Sequence, residues 1–490
     1  MKPPFKFIIW EFYFFLRKYA LKKIKKYTID LKVHFKDRIK QRGKIMAKRI
    51  NPLEGSLWDK ILAFALPLAA TSIIQQLFNS CDVATVGQFS GSHSLAAVGS
   101  TAPITNRFIT IFVGFSVGAN VIISRFLGAQ KEDRANQAIH TALVLSVITG
   151  FIVSIIGEII ARPLLELMST PTEVLPLAVL YLRVCFIGMF FLTIYNFESA
   201  ILRAGGDTKR PLYCLIISGT INVVLNLVFV ILFKLDVAGV ALATTIADAT
   251  SSLLLFRILY KEEGALQVRL DRMKIEWVYT KEILIIGIPA AIQGMLFNIS
   301  NIIIQSAINS LGADIVAAST VALNFEMYTY FLITGFAQAA ITFTSQNYGA
   351  KNYKRCIQSI RWCMLLGTLF TGAISALFIT FSPVLARIFT SDPAIVKIAC
   401  IRIAIVVAFE VLNMTIEIMS GALRGLGNPM ISTVLCIVFT CALRLAWIFI
   451  AFARIHTFQS VLVVYPISWA VTASSIVIAY LVVKKKKLIM

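Results

Sequence analysis

The sequence predicts an all-α polytopic membrane protein with twelve transmembrane helices in two parallel six-helix lobes. Long apolar blocks and an internal repeat carry this prediction. Of the 490 residues, 58% are hydrophobic and 15% are charged, whereas a soluble domain is about half apolar and about a quarter charged. The apolar residues fall in blocks of about 20, the length that a helix needs to cross a bilayer. A closed β-barrel would instead show alternation over about ten residues, which these runs lack.

Twelve such blocks follow one another along the chain, and each is expected to form one span. Their approximate bounds are 61–84, 95–123, 138–160, 174–200, 212–233, 238–260, 282–308, 315–343, 358–380, 395–420, 429–452 and 460–483.

The basic residues set the orientation. The net charge is +22, and Lys and Arg gather before span 1, after spans 2, 4, 6, 8 and 10, and in the tail at Lys484–Lys487. The loop "QFSGSHS" after span 1 carries neither. This positive-inside pattern places both termini in the cytoplasm of a multi-pass plasma-membrane protein. The basic surface is expected to attract anionic membrane lipids, and no nucleic acid is expected as a partner.

Residues 1–50 form a basic N-terminal extension with 16 Lys and Arg and three acidic residues. Its apolar stretch "FIIWEFYFFL" is too short to span a membrane. It is a poor signal peptide and suits a basic amphipathic helix at the membrane surface. The alternative is that the protein begins at Met46.

Neither an enzyme nor a cofactor-binding protein is indicated. The eight cysteines show no CxxC spacing, so no disulfide framework and no metal site are expected. The chain also has no P-loop, HExxH or GxSxG motif, so we expect no ATPase domain in it.

An internal repeat divides the chain. "SRFLGAQKEDRANQAI" from Ser124 and "SQNYGAKNYKRCIQSI" from Ser345 agree at six of sixteen positions, at an offset of 221 residues. "SAILRAGGD" from Ser199 and "SGALRGLGN" from Ser420 agree at the same offset. Since each half holds an even number of spans, the two lobes keep the same orientation, as in secondary transporters that work by alternating access. The predicted parts are the extension at 1–50, the N-terminal lobe at 51–261, a cytosolic linker at 262–282, and the C-terminal lobe with its basic tail at 283–490.

The Gly-Ala pairs at 128–129 and 349–350 end spans 2 and 8. Glycine at such a position predicts a left-handed helix stop, which is an architectural role rather than contact with a ligand.

Several of these motifs together resemble the multidrug and toxic compound extrusion (MATE) family. They are "LGAQ" after span 2, "ILRAGGDTKRP" after span 4 and "ALRGLGNP" after span 10, and the resemblance covers residues 51 to about 484. "LRLAW" at 443–447 and "YPISW" at 465–469 are similar to one bacterial subgroup. The resemblance implies a secondary active multidrug efflux transporter that exports amphipathic organic cations by antiport of H⁺ or Na⁺. A monomer is expected.

The resemblance also implies a coupling-ion site in the N-terminal lobe. The positions that match the family's site are Asp82, Asn196, Asn222, Asn226 and Thr244. The family usually has a carboxylate where Asn226 stands. The acidic residue that the sodium-coupled branch has on span 7 is also absent near Phe297 and Asn298. Both departures leave the coupling ion open.

Ionisable residues inside spans cost about 2.5–3.5 kcal/mol and therefore indicate function. Asp248 follows Thr244 by one turn on span 6, and we expect it to replace the carboxylate missing at Asn226. Structural alternatives are an ion pair between Asp82 and Arg107, a hydrogen-bonded structural role for Asp248, and interhelical hydrogen bonds from Asn222 and Asn226, which are one turn apart.

In the C-terminal lobe, Glu326, Glu417 and Arg444 are candidate substrate-cavity residues. Glu326 lies among aromatic residues in "NFEMYTYF", an arrangement that suits a flat organic cation. Glu417 and Arg444 lie on successive antiparallel spans, so the alternative for them is a buried ion pair.

The same residues bear on three other functions. A flippase for a lipid-linked or other amphipathic metabolite would share the two-lobe design but would favour a cationic cavity, whereas acidic residues occur in both lobes here. An intramembrane aspartyl protease needs two carboxylates that share a proton, and no paired motif is present. A channel needs a filter sequence that forms a ring, and none is visible.

Overall fold

The computed structural model describes residues 49–168 and 170–489. The surface helix predicted for residues 1–50 and the alternative start at Met46 lie outside the described residues.

Twelve helices of the described chain follow the twelve predicted blocks. They are α1 (Trp58–Phe89), α2 (Ser92–Gly128), α3 (Glu132–Leu167), α4 (Leu175–Ala204), α5 (Lys209–Leu232), α6 (Asp236–Tyr260), α7 (Trp277–Asn309), α8 (Ala313–Gly349), α9 (Tyr353–Thr380), α10 (Pro393–Val406 and Glu410–Gly425), α11 (Pro429–Phe452) and α12 (Phe458–Leu488). A short helix, Ser382–Ala386, lies between α9 and α10.

Eleven of these helices are long and apolar enough to cross a membrane, as judged over the described residues. The exception is α10, which a 3₁₀ turn at Val407–Phe409 divides into two pieces of 14 and 16 residues. Together the two pieces cover the predicted block. The twelve-helix, two-lobe fold predicted from the sequence is therefore confirmed.

The two lobes pack in the same way. In the first, α2 packs on α3 and α4, α4 packs on α6, and α1 packs on α5. In the second, α8 packs on α9 and α10, α10 on α12, and α7 on α11. The fifth helix of each lobe also ends in a π-helical turn, at Val228–Leu232 and Ile448–Phe452. The repeat in the sequence is thus a repeat of packing partners.

Large apolar side chains cover the outside of the bundle. Phe151, Ile159, Leu369 and Ile478 are all more than half exposed. Hydroxyl and amide side chains instead lie between helices, where they bond to backbone carbonyls, as Thr193 does to the carbonyl of Met189. This distribution suits a protein that is surrounded by hydrocarbon, where unpaired polar groups are costly.

The segment between the lobes rests on the N-terminal lobe. It contains two 3₁₀ turns, Gly264–Leu266 and Leu270–Arg272. The side-chain amide of Asn136 on α3 donates to the carbonyls of Ala265 and Gln267, at 3.1 and 2.8 Å. The polar segment that the sequence predicts as a linker is therefore bonded to α3 over part of its length.

The repeated Gly-Ala motifs lie where the two lobes meet. A Cβ atom on Gly128 would stand 2.0 Å from the carbonyl oxygen of Gln346, and one on Gly349 would stand 2.1 Å from the carbonyl oxygen of Arg125. Real Cβ atoms do not approach this closely. Each lobe thus ends its second helix in a glycine that lets the backbone of the other lobe come into contact.

The left-handed stop predicted at Gly128 and Gly349 is wrong. Both glycines belong to the last helical turn, and the positive φ angles fall two residues later, at Gln130 (56°) and Lys351 (58°). The glycines are needed for close contact instead. Glycines with positive φ angles do occur in the other repeated motif, at Gly206 in "SAILRAGGD" and at Gly427 in "SGALRGLGN".

Further close contacts join the lobes in the same half of the bundle. A Cβ atom on Gly118 of α2 would lie 2.2 Å from the carbonyl oxygen of Ile283 on α7, and one on Gly335 of α8 would lie 2.6 Å from that of Ala65 on α1. These contacts lie towards the end of the bundle that carries the basic loops after α2 and α8, which we call the basic end. The lobes are therefore closed together at the basic end.

Replacing Gly128 by alanine is expected to prevent this closure. Overpacking of this kind costs about 1–3 kcal/mol, so Gly128→Ala should lower both the melting temperature of the purified protein and its transport rate in proteoliposomes. Gly372→Ala is the matched control, because a Cβ atom there meets no atom within 4 Å; it should keep full activity. A Gly128→Ala protein with wild-type stability and transport would contradict the close-contact role.

Candidate functional site

A cavity of about 440 Å³ lies within the N-terminal lobe, between α1, α2, α4 and α6. Asp82, Thr244 and Asp248 line it, together with Gln76, Asn79 and Tyr181. No Lys, Arg or His is among the described residues that line it. The cavity therefore has two carboxylates and no basic side chain.

The Asp82 carboxylate ties α1 to α5 and α6. It accepts a short hydrogen bond from the side-chain amide of Asn226 and a second one, at 3.2 Å, from the hydroxyl of Thr244. The amide of Asn222 donates to the Thr244 hydroxyl at 3.1 Å, and that of Asn226 donates to Asn222 Oδ1 at 3.3 Å. Asp82 is 7% exposed and Asn226 is fully buried. Four of the residues expected at the coupling site thus form one hydrogen-bond network.

Asp248 lies on the wall of the same cavity, one turn from Thr244. Its side chain is partly exposed, and no hydrogen bond to its carboxylate is found within the described residues. The second carboxylate that the sequence suggested is therefore in the cavity and open to it.

Two expected relationships differ in the structure. The side-chain amide of Asn196 donates to the carbonyl of Leu192 on its own helix at 2.8 Å and does not join the network around Asp82. Arg107 Nη1 donates to the carbonyl of Pro103 at 2.5 Å and faces the other lobe's cavity. An ion pair between Asp82 and Arg107 is therefore not formed.

The polar residues Gln76 and Asn79 were missed in the sequence. They lie three residues apart on α1 and precede Asp82 by one to two turns, so they share its side of the helix. That spacing is the signal available in the sequence.

A second cavity, of about 360 Å³, lies in the C-terminal lobe. It is lined by Arg107 of α2 and, from the C-terminal lobe, by Phe297, Asn301, Glu326, Arg402, Glu410, Asn413, Arg444, Tyr465 and Trp469, among others. Its charged side chains include three arginines and two glutamates.

Glu326 forms a two-point ion pair with Arg402. The Nε and Nη2 atoms of Arg402 donate to the two carboxylate oxygens at 2.7 and 3.0 Å. Both side chains are buried, with 1% of Arg402 and 10% of Glu326 exposed. The carboxylate that the sequence suggested for holding a flat cation is therefore already neutralised by an arginine of the same lobe. Arg402 was missed, although an arginine inside the span predicted at 395–420 was a visible signal.

Arg444 is enclosed by aromatic rings. Its Cζ atom lies 4.6 Å from the ring centre of Tyr465, 5.1 Å from that of Phe297 and 5.8 Å from that of Trp469. Its Nε atom donates to the Ser468 hydroxyl at 3.1 Å, and Nη1 donates to Asn301 Oδ1 at 2.9 Å.

Glu417 takes no part in this arrangement. It forms no ion pair with Arg444 in the described chain, and it does not line either cavity. The buried pair suggested by the antiparallel spans is therefore wrong: the guanidinium of Arg444 bonds to Ser468 and Asn301 instead. The lobe's buried ion pair is made by Glu326 and Arg402 instead.

The two cavities occupy equivalent places in the repeat. Arg402, Tyr465 and Trp469 stand 221 residues after Tyr181, Thr244 and Asp248, which line the first cavity. At these three positions the first lobe has one acidic residue, Asp248, and no basic one, whereas the second lobe has one basic residue, Arg402, and no acidic one.

Two six-helix lobes of the same orientation, each with a polar cavity inside the bundle, are an arrangement found in membrane transporters. The chain belongs to the MatE family, whose model matches it twice, at residues 67–228 and 289–450. The two matched segments are the two halves of the repeat. The protein is thus a member of the MATE multidrug efflux transporters, which are transporters and not enzymes.

Curated relatives and solved structures agree with this. The chain is 28% identical to the probable multidrug resistance protein YoeA of Bacillus subtilis over 443 residues, covering 88% of this chain and 95% of that protein. It is 26% identical to the probable multidrug resistance protein NorM of Thermotoga maritima, covering 81% and 86%. It also matches the structure of a multidrug resistance MATE family transporter of the MOP superfamily in an outward-facing conformation, with a TM-score of 0.82, 25% identity and coverage of 90% and 98%.

Removing one partner of the buried Glu326–Arg402 pair is expected to destabilise the protein. An unpaired buried charge costs about 3–5 kcal/mol, so Glu326→Gln should strongly reduce the folded, monodisperse fraction in size-exclusion chromatography. Adding Arg402→Met should recover part of it. Glu166→Gln is the matched control, because Glu166 pairs with Arg162 at the exposed surface, where pairs contribute about 0–1 kcal/mol. Equal yields for Glu326→Gln and Glu166→Gln would argue against a stabilising pair.

Proposed function

We propose that this protein exports amphipathic organic cations by H⁺ antiport through alternating access. The observation that carries the proposal is the N-terminal cavity, which holds Asp82 and Asp248 and has no basic side chain on its described walls. Two carboxylates in such a cavity attract either an organic cation or the coupling ion.

A proton suits Asp82 better than Na⁺ does. Hard metal cations are held by a shell of about six or more oxygen atoms, whereas Asp82 faces N–H and O–H donors from Asn226 and Thr244. These donors stabilise an ionised carboxylate without a metal ion. A carboxylate shielded from water also takes up a proton more readily than one in water.

Protonation of Asp82 gives a physical step for coupling. Hydrogen bonds to an ionised carboxylate are roughly twice as strong as those between neutral groups. Neutralising Asp82 therefore weakens the bonds that hold α1 to α5 and α6. The same helix contacts the other lobe through Ala65 and Gly335, so a change in how α1 is held reaches the contact between the lobes.

The proposed orientation places the basic end in the cytoplasm of a plasma-membrane protein that acts as a monomer. The lobes, at 51–261 and 283–490, are joined by the segment at 262–282. Since the lobes touch at the basic end, both cavities then face outwards, which agrees with the outward-facing state of the matched MATE structure.

A second candidate is a flippase for a lipid-linked or other amphipathic anion. It is favoured by the arginines of the C-terminal cavity and disfavoured by the carboxylates of the N-terminal one. Export of a fluorescent organic cation from proteoliposomes separates the two, because a flippase of that kind would leave the cation inside.

Asp82→Asn is expected to abolish ion-driven export and to leave substrate binding measurable, because only the group that takes up the proton is lost. Initial rates of ethidium export from proteoliposomes and equilibrium binding of ethidium measure the two properties. Asp314→Asn, at an exposed position on α8, is the matched control and should export at the wild-type rate. Export by Asp82→Asn under an imposed ion gradient would remove Asp82 from the mechanism.

Export should respond to a pH gradient and not to a Na⁺ gradient when each is imposed separately. Asp248→Asn should also lose the response to the pH gradient, while its folded yield stays normal, because its carboxylate has no hydrogen-bond partner to lose in the described chain. Export driven by Na⁺ alone would overturn the proton assignment. An unchanged response to the pH gradient in Asp248→Asn would show that Asp82 works without it.

A further inference from the structure

The C-terminal cavity contains guanidinium N–H groups that nothing in the described chain satisfies. Arg444 is 1% exposed, and its Nη2 atom has no hydrogen-bond partner among the described residues. Arg402 is equally buried, and its Nη1 atom also lacks a partner there. Buried charged donors are nearly always bonded because leaving them unpaired is costly. Both arginines line the cavity, so an acceptor that enters it approaches the two guanidinium groups.

The rings around Arg444 restrict how that acceptor can approach. Phe297, Tyr465 and Trp469 lie within 6 Å of its Cζ atom. Tyr465 also lies 5.8 Å from the Cζ atom of Arg402, so its ring is shared by the two guanidinium groups. The remaining donors are therefore at the edge of each guanidinium. An edge with N–H groups fits the planar oxygen pair of a carboxylate.

The carboxylates already present do not supply this acceptor. Glu326 is bonded to the other two nitrogen atoms of Arg402. Glu410 accepts from the side-chain amide of Asn413 at 2.9 Å and forms no ion pair within the described residues. Arg107 of α2 adds a third guanidinium to the lining. With both glutamates ionised, the cavity carries an excess of positive charge, unlike its counterpart in the first lobe.

We propose that the C-terminal cavity binds the carboxylate of an aromatic small molecule, with Arg444 as the principal contact. The volume of about 360 Å³ lies within the range of small-molecule sites, and the rings of Phe297, Tyr465 and Trp469 provide surface for an aromatic body. What is assigned is the place and the residue by which this chain recognises a carboxylate. The assignment rests on the proposed function only for the direction of transport.

Equilibrium binding to the full-length protein tests the assignment. The protein is placed in nanodiscs of phosphatidylcholine, and the probes are 1-pyrenecarboxylate, its methyl ester and 1-pyrenemethylammonium, followed by fluorescence anisotropy. The carboxylate should bind the wild-type protein at least about tenfold more tightly than the ester, as expected when one charge-assisted hydrogen bond is lost. This comparison changes only the ligand, so it does not depend on the folding of any variant.

The variant Arg444→Gln should lose that preference and bind the carboxylate and the ester alike, while binding of the ammonium probe stays within about twofold of the wild-type value. Arg454→Gln, an equivalent substitution at an exposed arginine, should leave all three affinities unchanged.

Three results would overturn the proposal. One is equal affinity of the wild-type protein for acid and ester. Another is a preference for the acid that survives in Arg444→Gln. The third is loss of carboxylate binding when phosphatidylglycerol replaces part of the phosphatidylcholine, which would assign the site to a lipid headgroup. Because no ion gradient is imposed, failure of the proposed antiport mechanism would leave these binding results intact.

Discussion

The cost of placing charge inside an apolar helix bundle governs this structure. An ionised group within a span must find partners, since hydrocarbon offers none. The N-terminal lobe meets this requirement with neutral donors, so that Asp82 is held by an amide and a hydroxyl. The C-terminal lobe meets it with opposite charges, in the pair of Glu326 and Arg402. A carboxylate held by neutral donors can lose its charge without leaving another charge unpaired, whereas one held by an arginine cannot. Only the first kind of site is suited to repeated uptake and release of a proton.

The repeat therefore preserves the packing and not the chemistry. Both lobes place the same helices in contact, and both close on each other through a glycine at the end of the second helix. Within that common frame, the positions of Tyr181 and Asp248 carry arginine and tryptophan in the second lobe. The glycine contacts at the interface are alike in the two lobes, because a change in one lobe alone would disturb the interface. The first cavity is lined by residues of the N-terminal lobe, and the second mostly by residues of the C-terminal lobe. Most of the lining side chains can therefore differ between the lobes without disturbing the interface.

The sequence predicted the twelve spans and their pairing into two lobes because span length and the 221-residue period are properties of the chain itself. It also placed Asp82, Asn222, Asn226 and Thr244 in one site, through a resemblance and the one-turn spacing of the asparagines. It failed where the answer depends on which helix faces meet. Glu326 pairs with Arg402, whereas Glu417 and Arg444 do not pair. Which side chains meet depends on how each helix is rotated about its axis, and the sequence does not give that rotation. The same holds for Gly128. Its sequence context predicts a local helix stop, whereas its role depends on the backbone of the other lobe.

In the proposed mechanism, one helix connects the two features on which transport depends. Near its start, α1 contacts α8 through Ala65; about five turns later, it presents Asp82 to α5 and α6. Both positions lie on one continuous helix, which contains Pro67, so a change at one is transmitted to the other through helical backbone and not through a loop. Holding α1 to its own lobe through an ionised Asp82 and releasing it on protonation changes the balance between contacts within the lobe and contacts across the interface. The second lobe has no equivalent carboxylate network on α7, where Asn301 is instead bonded to Arg444. In the proposed mechanism the protonation switch therefore acts from one lobe alone, and the cavity of the other lobe recognises substrate by charge.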